Sequence, residues 1–147
     1  MTKEFKDMKG VIAIATTPFN NENLIDFESV DRLSNYYIES KVSGVTILGV
    51  MGEAHKLNIE EQKTLIKRYV NNLINSVPVI VGVSNAGLDN LELLSKFSMD
   101  SGASGVMVSG NNGLKNDDQI KSYFNQVVDR TQDIPICLHA NKLEYLE

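Results

Sequence analysis

The chain has 147 residues and a formal charge of −5, an excess of acid that argues against a sequence-independent nucleic acid binder, which needs a basic stripe. No apolar run reaches the roughly 18–20 residues of a membrane span. At 42% hydrophobic and 22% charged, the chain can bury a core, which excludes wholesale disorder. The length fits one domain, residues 1–147, and no linker or low-complexity stretch divides it. Met1 to Asp7 has no apolar signal core, and Cys137, the single cysteine, can make no internal disulfide. No Cys/His cluster has zinc spacing. The expectation is a cytoplasmic protein without metal or cofactor.

Val11 to Ala15 opens the pattern as a β-branched run that does not alternate with polar residues. Such a run is a strand buried on both faces. Phe27, Val30, Leu33 and Tyr37 then share one helical face, and Gly44 stands past it as a candidate left-handed terminator. Val45 to Leu48 is the second strand. Asn58 precedes Glu61 by three, close to a capping box, ahead of a helix carrying Leu65, Ile66, Tyr69, Val70 and Leu73. Val79 to Val83 is the third strand. Leu91, Leu94 and Phe97 mark the next helix, with Gly102 past its end. Val106 to Val108 is the fourth strand. Asn116 and Gln119 repeat the capping spacing before a helix marked by Ile120, Phe124, Val127 and Val128. Asp117 and Asp118 suit its first turn through the helix dipole. Ile134 to Leu138 is the fifth strand.

The order β-α-β-α-β-α-β-α-β at about 30 residues per unit implies right-handed parallel crossovers. Two architectures share it. A five-stranded doubly wound sheet would be complete at this length, whereas a (β/α)₈ barrel needs about 250 residues. Both place ligands at the C-terminal ends of the strands. Those ends read Thr16-Thr17-Pro18-Phe19, Gly49-Val50-Met51-Gly52-Glu53, Gly82-Val83-Ser84-Asn85, Ser109-Gly110-Asn111-Asn112 and His139-Ala140-Asn141. They lack the paired acids of a phosphate-accepting response regulator and the Ser/Thr/Gly run of a flavin site. No G-x-G-x-x-G or P-loop is present. Gly49 and Gly52, three apart after a buried strand, allow a tight turn whose successive amides can receive a carboxylate. A plain strand-to-helix connection would use the same glycines.

Taken in order, Thr17-Pro18-Phe19, Ile25-Asp26, Gly49-x-x-Gly52-Glu53, Leu57-x-x-Glu60-Glu61 and Pro78 to Val83 resemble the N-terminal half of the dihydrodipicolinate synthase and N-acetylneuraminate lyase family. The resemblance runs from about Gly10 to about Leu138. It implies a TIM barrel of which this chain covers about the first five strands and four helices. It also implies a class I aldolase, which joins a small 2-oxoacid such as pyruvate to a lysine as a Schiff base. A carbon–carbon bond to an aldehyde is then made or broken, and no separate cofactor is needed.

On this resemblance the backbone of Gly49, Val50 and Met51 binds the substrate carboxylate, with Thr17 beside it. The family loop reads Gly-Thr-Thr-Gly-Glu, so Val50 and Met51 lack its hydroxyls, and Val50 replaces a relay threonine. Glu53 matches the family glutamate and anchors the loop. His139 occupies the place of a catalytic tyrosine and can do acid–base work near neutral pH. Gly110-Asn111-Asn112 replaces Pro-Tyr-Tyr, and no arginine follows His139, which favours a 2-oxoacid reaction other than dihydrodipicolinate synthesis. The Schiff-base lysine belongs to a sixth strand that this chain does not contain. Lys115 and Lys142 follow strands four and five and read as solvated loop residues. The tail from Ala140 to Glu147 departs from the family pattern, so the chain by itself is expected to be inactive.

His55 reads as a surface histidine, Cys137 as strand packing, and Tyr36 and Tyr37 as helix-layer residues. The partner expected is a homo-oligomer. The alternative reading is a non-catalytic truncated half-barrel whose open edges drive self-association, or a bare carboxylate-binding module.

Overall fold

The computed structural model describes residues 8–110 and 113–139; Asn111, Asn112, Lys142 and the tail from Ala140 lie outside the described residues. The apolar runs form five strands: β1 (Ile12–Ile14), β2 (Gly44–Ile47), β3 (Val79–Gly82), β4 (Gly105–Ser109) and β5 (Ile136–His139). Between them lie α1 (Phe27–Glu39), α2 (Ile59–Leu73), α3 (Leu88–Asp100) and α4 (Asp117–Thr131). All four strand pairs are parallel, and the spatial order is β1-β2-β3-β4-β5. A doubly wound sheet breaks sequence order at a switch point, whereas a barrel adds each strand beside the last. The strand order therefore decides between the two architectures in favour of the barrel.

The helices agree. In-register pairing puts Ala13, Val45 and Val79 on one face with Ile47, Val81, Val106 and Ile136. That face joins one hydrophobic core with residues from all four helices. α1 packs on α2, α2 on α3 and α3 on α4, forming a single outer layer. The opposite face carries Ile12, Ile14, Thr46, Ile80, Met107, Cys137 and His139. Ile80 on this face is only 3% exposed with no helix over it, which fits a sheet curled around that side. Ile12 and Ile14 at the edge are 38% and 42% exposed.

α2 buries Leu65, Ile66, Tyr69, Val70 and Leu73, all of the apolar positions expected for it. Each contributes about 1.5–3 kcal/mol of transfer free energy. Its capping box is complete: the Asn58 side chain accepts from the Glu61 amide, and the Glu61 carboxylate accepts from the Asn58 amide. At α4 only half of the device forms. Asn116 accepts from the Gln119 amide, but the Gln119 side chain accepts from Lys115 instead. The buried face of α4 runs through Tyr123, Val127 and Thr131, while Val128, expected inside, is 51% exposed.

Gly102 has φ +102° past α3, as its position suggested. Gly44 does not play that part after α1. Lys41, with φ +53°, takes the left-handed position, and Gly44 opens β2. Tyr37 is buried, while its neighbour Tyr36 is exposed.

Asp31 on α1 accepts from Arg68 and from Asn72 on α2. These bonds, Arg68 first, hold its carboxyl below its ordinary value of 3.8. Stabilisation from such a group is complete above the unfolded value and is lost as the pH falls through the lower folded value. Asp31→Asn is therefore expected to melt earlier than the wild type at neutral pH, with the gap narrowing on acidification below about pH 4. Asn58→Ala is expected to cost about 1 kcal/mol in a denaturant titration.

Candidate active site

The loop after β2 is held by backbone contacts before any side chain is considered. Leu48 is buried in the left-handed region at φ +55°. A non-glycine residue held there carries strain on the order of 1 kcal/mol. The surroundings impose it: the carbonyl oxygen of Leu48 lies so close to Gly82 of β3 that a Cβ on Gly82 would sit 2.2 Å from it. A Cβ on Gly52 would come within 3.0 Å of the Leu48 nitrogen and 3.3 Å of the Ala15 carbonyl oxygen. Both glycines serve close backbone approach.

Two side chains from outside, Thr17 and Gln62, pin the loop, and a third, Tyr69, ties the neighbouring segment after β1. The buried Thr17 hydroxyl donates to the Gly52 carbonyl at 2.6 Å. The Tyr69 hydroxyl donates to the Thr16 carbonyl at 3.2 Å, and burial pushes its pKa up. The Gln62 amide donates to the carbonyls of Ala54 and Leu57 at 3.1 and 3.0 Å. Glu53, also left-handed at φ +55°, pairs with Lys56 across the short 3₁₀ turn Ala54–Lys56. That contact holds the Glu53 carboxyl below its ordinary range.

The turn consumes the amides of Gly52 and Glu53, which donate to the carbonyls of Gly49 and Val50 at 3.0 and 3.1 Å. Among the described residues, nothing accepts from the amides of Gly49, Val50 and Met51. These are three successive donors at the C-terminal end of the sheet, in a turn suited to an anion. Gly49 rests on Met107 and Ile14 of the curled face.

The loop forms one wall of a cavity of about 110 Å³. Leu48, Gly49 and Val50 contribute from the loop after β2, Gly82 and Ser84 from the end of β3 and just beyond it, Met107 and Ser109 from β4, and His139 from β5. Ala54 and His55 of the 3₁₀ turn complete it. The sequence thus placed Gly49, Val50 and His139 at a site, and the structure brings these three to one cavity. Met51 belongs to the turn but does not line the cavity, and its side chain is 59% exposed. Thr17 reaches the carbonyl of Gly52, so its hydroxyl is already engaged by the loop. Lys115 lies exposed before α4, and no lysine lines the cavity among the described residues.

Ser84, Ser109 and His55 also line the cavity; the sequence placed the two serines at strand ends without giving them a role and read His55 as a surface histidine. Ser84 and Ser109 are separated by 25 residues, and only the β3–β4 register joins them. Cys137 is half-buried on the curled face beside Met107.

The profile of the dihydrodipicolinate synthetase family matches residues 7–141. The chain belongs to this family. The 4-hydroxy-tetrahydrodipicolinate synthase of Wigglesworthia glossinidia brevipalpis is 28% identical over 139 residues, which cover 90% of this chain and 44% of that protein. A DapA-like lyase of Pyrococcus horikoshii is 31% identical over 134 residues, covering 90% and 46%. Among solved structures, dihydrodipicolinate synthase from Rhodopseudomonas palustris superposes with a TM-score of 0.83 at 41% identity, over 86% of this chain and 42% of that one. A prophage protein of the same family from E. coli K12, solved with pyruvate, gives 0.80 at 27% identity, over 88% and 43%. N-acetylneuraminate lyase from Proteus mirabilis shares the fold, with a TM-score of 0.80 at 20% identity over 88% of this chain and 44% of that one. The chain spans a little under half the length of the relatives it matches. Among the described residues no helix is long and apolar enough to cross a membrane.

Thr17→Val is expected to leave the Gly52 carbonyl without its donor. The expected cost is about 1–3 kcal/mol, read as a lower melting temperature. Gly82→Ala is expected to be at least as damaging, because the new methyl group meets a backbone carbonyl that cannot move aside independently.

Proposed function

We infer that the chain supplies the carboxylate-binding end of a Schiff-base lyase acting on a small 2-oxoacid of the pyruvate type. The observation that carries this reading is the run of three amides at Gly49, Val50 and Met51 without an acceptor among the described residues, two of them, Gly49 and Val50, at a cavity that His139 also lines. Family membership and the pyruvate bound to the E. coli relative support it.

In this reading the 2-oxoacid carboxylate is seated on the loop amides. A lysine amine attacks C2, water leaves, and the iminium withdraws electrons so that a base takes a proton from C3 to give an enamine. The enamine attacks an aldehyde, and the reverse path cleaves one. His139 is the side chain placed to move protons, since imidazole exchanges them near neutral pH. The amine comes from the family's sixth strand, and no separate cofactor takes part. The missing hydroxyls at Val50 and Met51 leave recognition of the carboxylate to backbone donors. The protein acts in the cytoplasm and as a homo-oligomer.

The exposure of Ile12 and Ile14 on the curled face, with Leu138 60% exposed on β5, favours a second reading for the 147-residue chain alone: self-association across its edge strands without turnover. A concentration-independent monomer in sedimentation would remove it.

Pyruvate titrated into the 147-residue chain is expected to bind reversibly and to perturb the amides of Gly49 to Met51. Borohydride is expected to trap no adduct on this chain but to trap one on a longer form carrying the sixth-strand lysine. No binding at millimolar pyruvate would sink the carboxylate cradle, and an adduct on Lys115 or Lys142 would overturn the assignment of the amine.

A further inference from the structure

Two hydroxyls in the cavity are not accounted for by the loop or by His139. The Ser84 Oγ accepts from the Ser109 amide at 2.9 Å and lies 3.1 Å from the Ser109 Oγ. Each hydroxyl has one proton to donate. Only one proton can close the contact between them, whichever residue supplies it. The other is always left over. Both side chains line the cavity, so the pair presents one spare O–H donor to whatever the cavity holds.

The placement of that donor matters. The strands run in order around the curled sheet, with the loop amides at the end of β2 and the serine pair spanning β3 and β4. Ser109 is paired in register with His139 of β5. A ligand whose carboxylate sits on the Gly49–Met51 amides therefore meets the serine pair next, before it reaches the imidazole. In a 2-oxoacid the atom adjacent to the carboxylate carries a carbonyl oxygen, which is an acceptor. In a simple carboxylic acid that position is a methylene, which accepts nothing and leaves the O–H unpaired.

We propose that Ser84 and Ser109 act as one hydrogen-bond donor that reads the 2-oxo oxygen of the substrate, making the cavity selective for 2-oxoacids over plain carboxylates before any covalent step. The proposal rests on the carboxylate cradle above and adds the specificity element to it. Backbone amides recognise any carboxylate, so they cannot supply this selectivity.

The test compares pyruvate with propionate, which lacks the oxo oxygen, on the 147-residue chain. The wild type is expected to prefer pyruvate by about tenfold, the worth of one neutral hydrogen bond. Ser84→Ala and Ser109→Ala each leave one hydroxyl proton and are expected to keep part of the preference. The double variant has none and is expected to bind both acids alike, at the wild-type affinity for propionate. Replacing Ser84 with Thr keeps the hydroxyl and should keep the preference. An independent reading needs no variant: pyruvate, but not propionate, should shift the Ser109 amide resonance of the wild type.

A double variant that keeps the full preference, or a wild type without one, overturns the role of the pair and leaves the cradle standing. A Ser109 resonance that responds equally to both acids does the same. A wild type that binds neither acid overturns the cradle, and this inference with it.

Discussion

The site depends on the approach of one backbone to another at Gly82. The Leu48 carbonyl occupies the space where any side chain on Gly82 would begin, and it is brought there by a left-handed residue that is buried and apolar. A leucine does not adopt that conformation unaided. It is held by the core beneath it and by the Thr17 and Gln62 bonds around the turn. With the backbone so constrained, the turn closes on the carbonyls of Gly49 and Val50, and the three amides from Gly49 to Met51 are left without an acceptor among the described residues.

This explains why the loop tolerates Val50 and Met51. The donors are backbone groups, and their direction is set by φ and ψ rather than by side-chain type. What the apolar pair changes is the chemistry nearby: no hydroxyl stands on the loop, so the polar side chains of the cavity come from β3, β4, β5 and the 3₁₀ turn. The polar lining of the cavity is spread over several strand ends, as is usual where strands of a barrel share one mouth.

The two faces of the sheet differ in the same physical way. The outer face is closed by four helices packed in series, and its residues in β2 and β3 are almost wholly buried. The curled face has no such cover. Glycines at 44, 82 and 105 lie on it, and its isoleucines in β1 remain partly open. Burial there falls off toward the edges, as expected when the inside of a barrel wall is described without the strands that would face it.

The sequence by itself determined the order and kind of the elements. β-branched runs without alternation, helical periodicity and capping spacings are local signals, and they were read at nearly every element. It also placed Gly49, Val50 and His139 at strand ends, through their position in the chain and their likeness to a known family. It misjudged Gly44, because a left-handed turn can be taken by a lysine when the next strand needs the glycine. It misjudged Val128, because a helix face shifts by one residue when Tyr123 and Thr131 fit the core better. The pattern of elements left a barrel and a doubly wound sheet open, since both share one chain order and differ in which strands pair; the family likeness implied the barrel, and the strand pairing of the tertiary structure shows it. Only the tertiary structure brought Ser84 to Ser109, the Leu48 carbonyl to Gly82, and His55 and His139 to one cavity. Those contacts join residues on different strands and turns, and they exist only once the register of the parallel sheet is set.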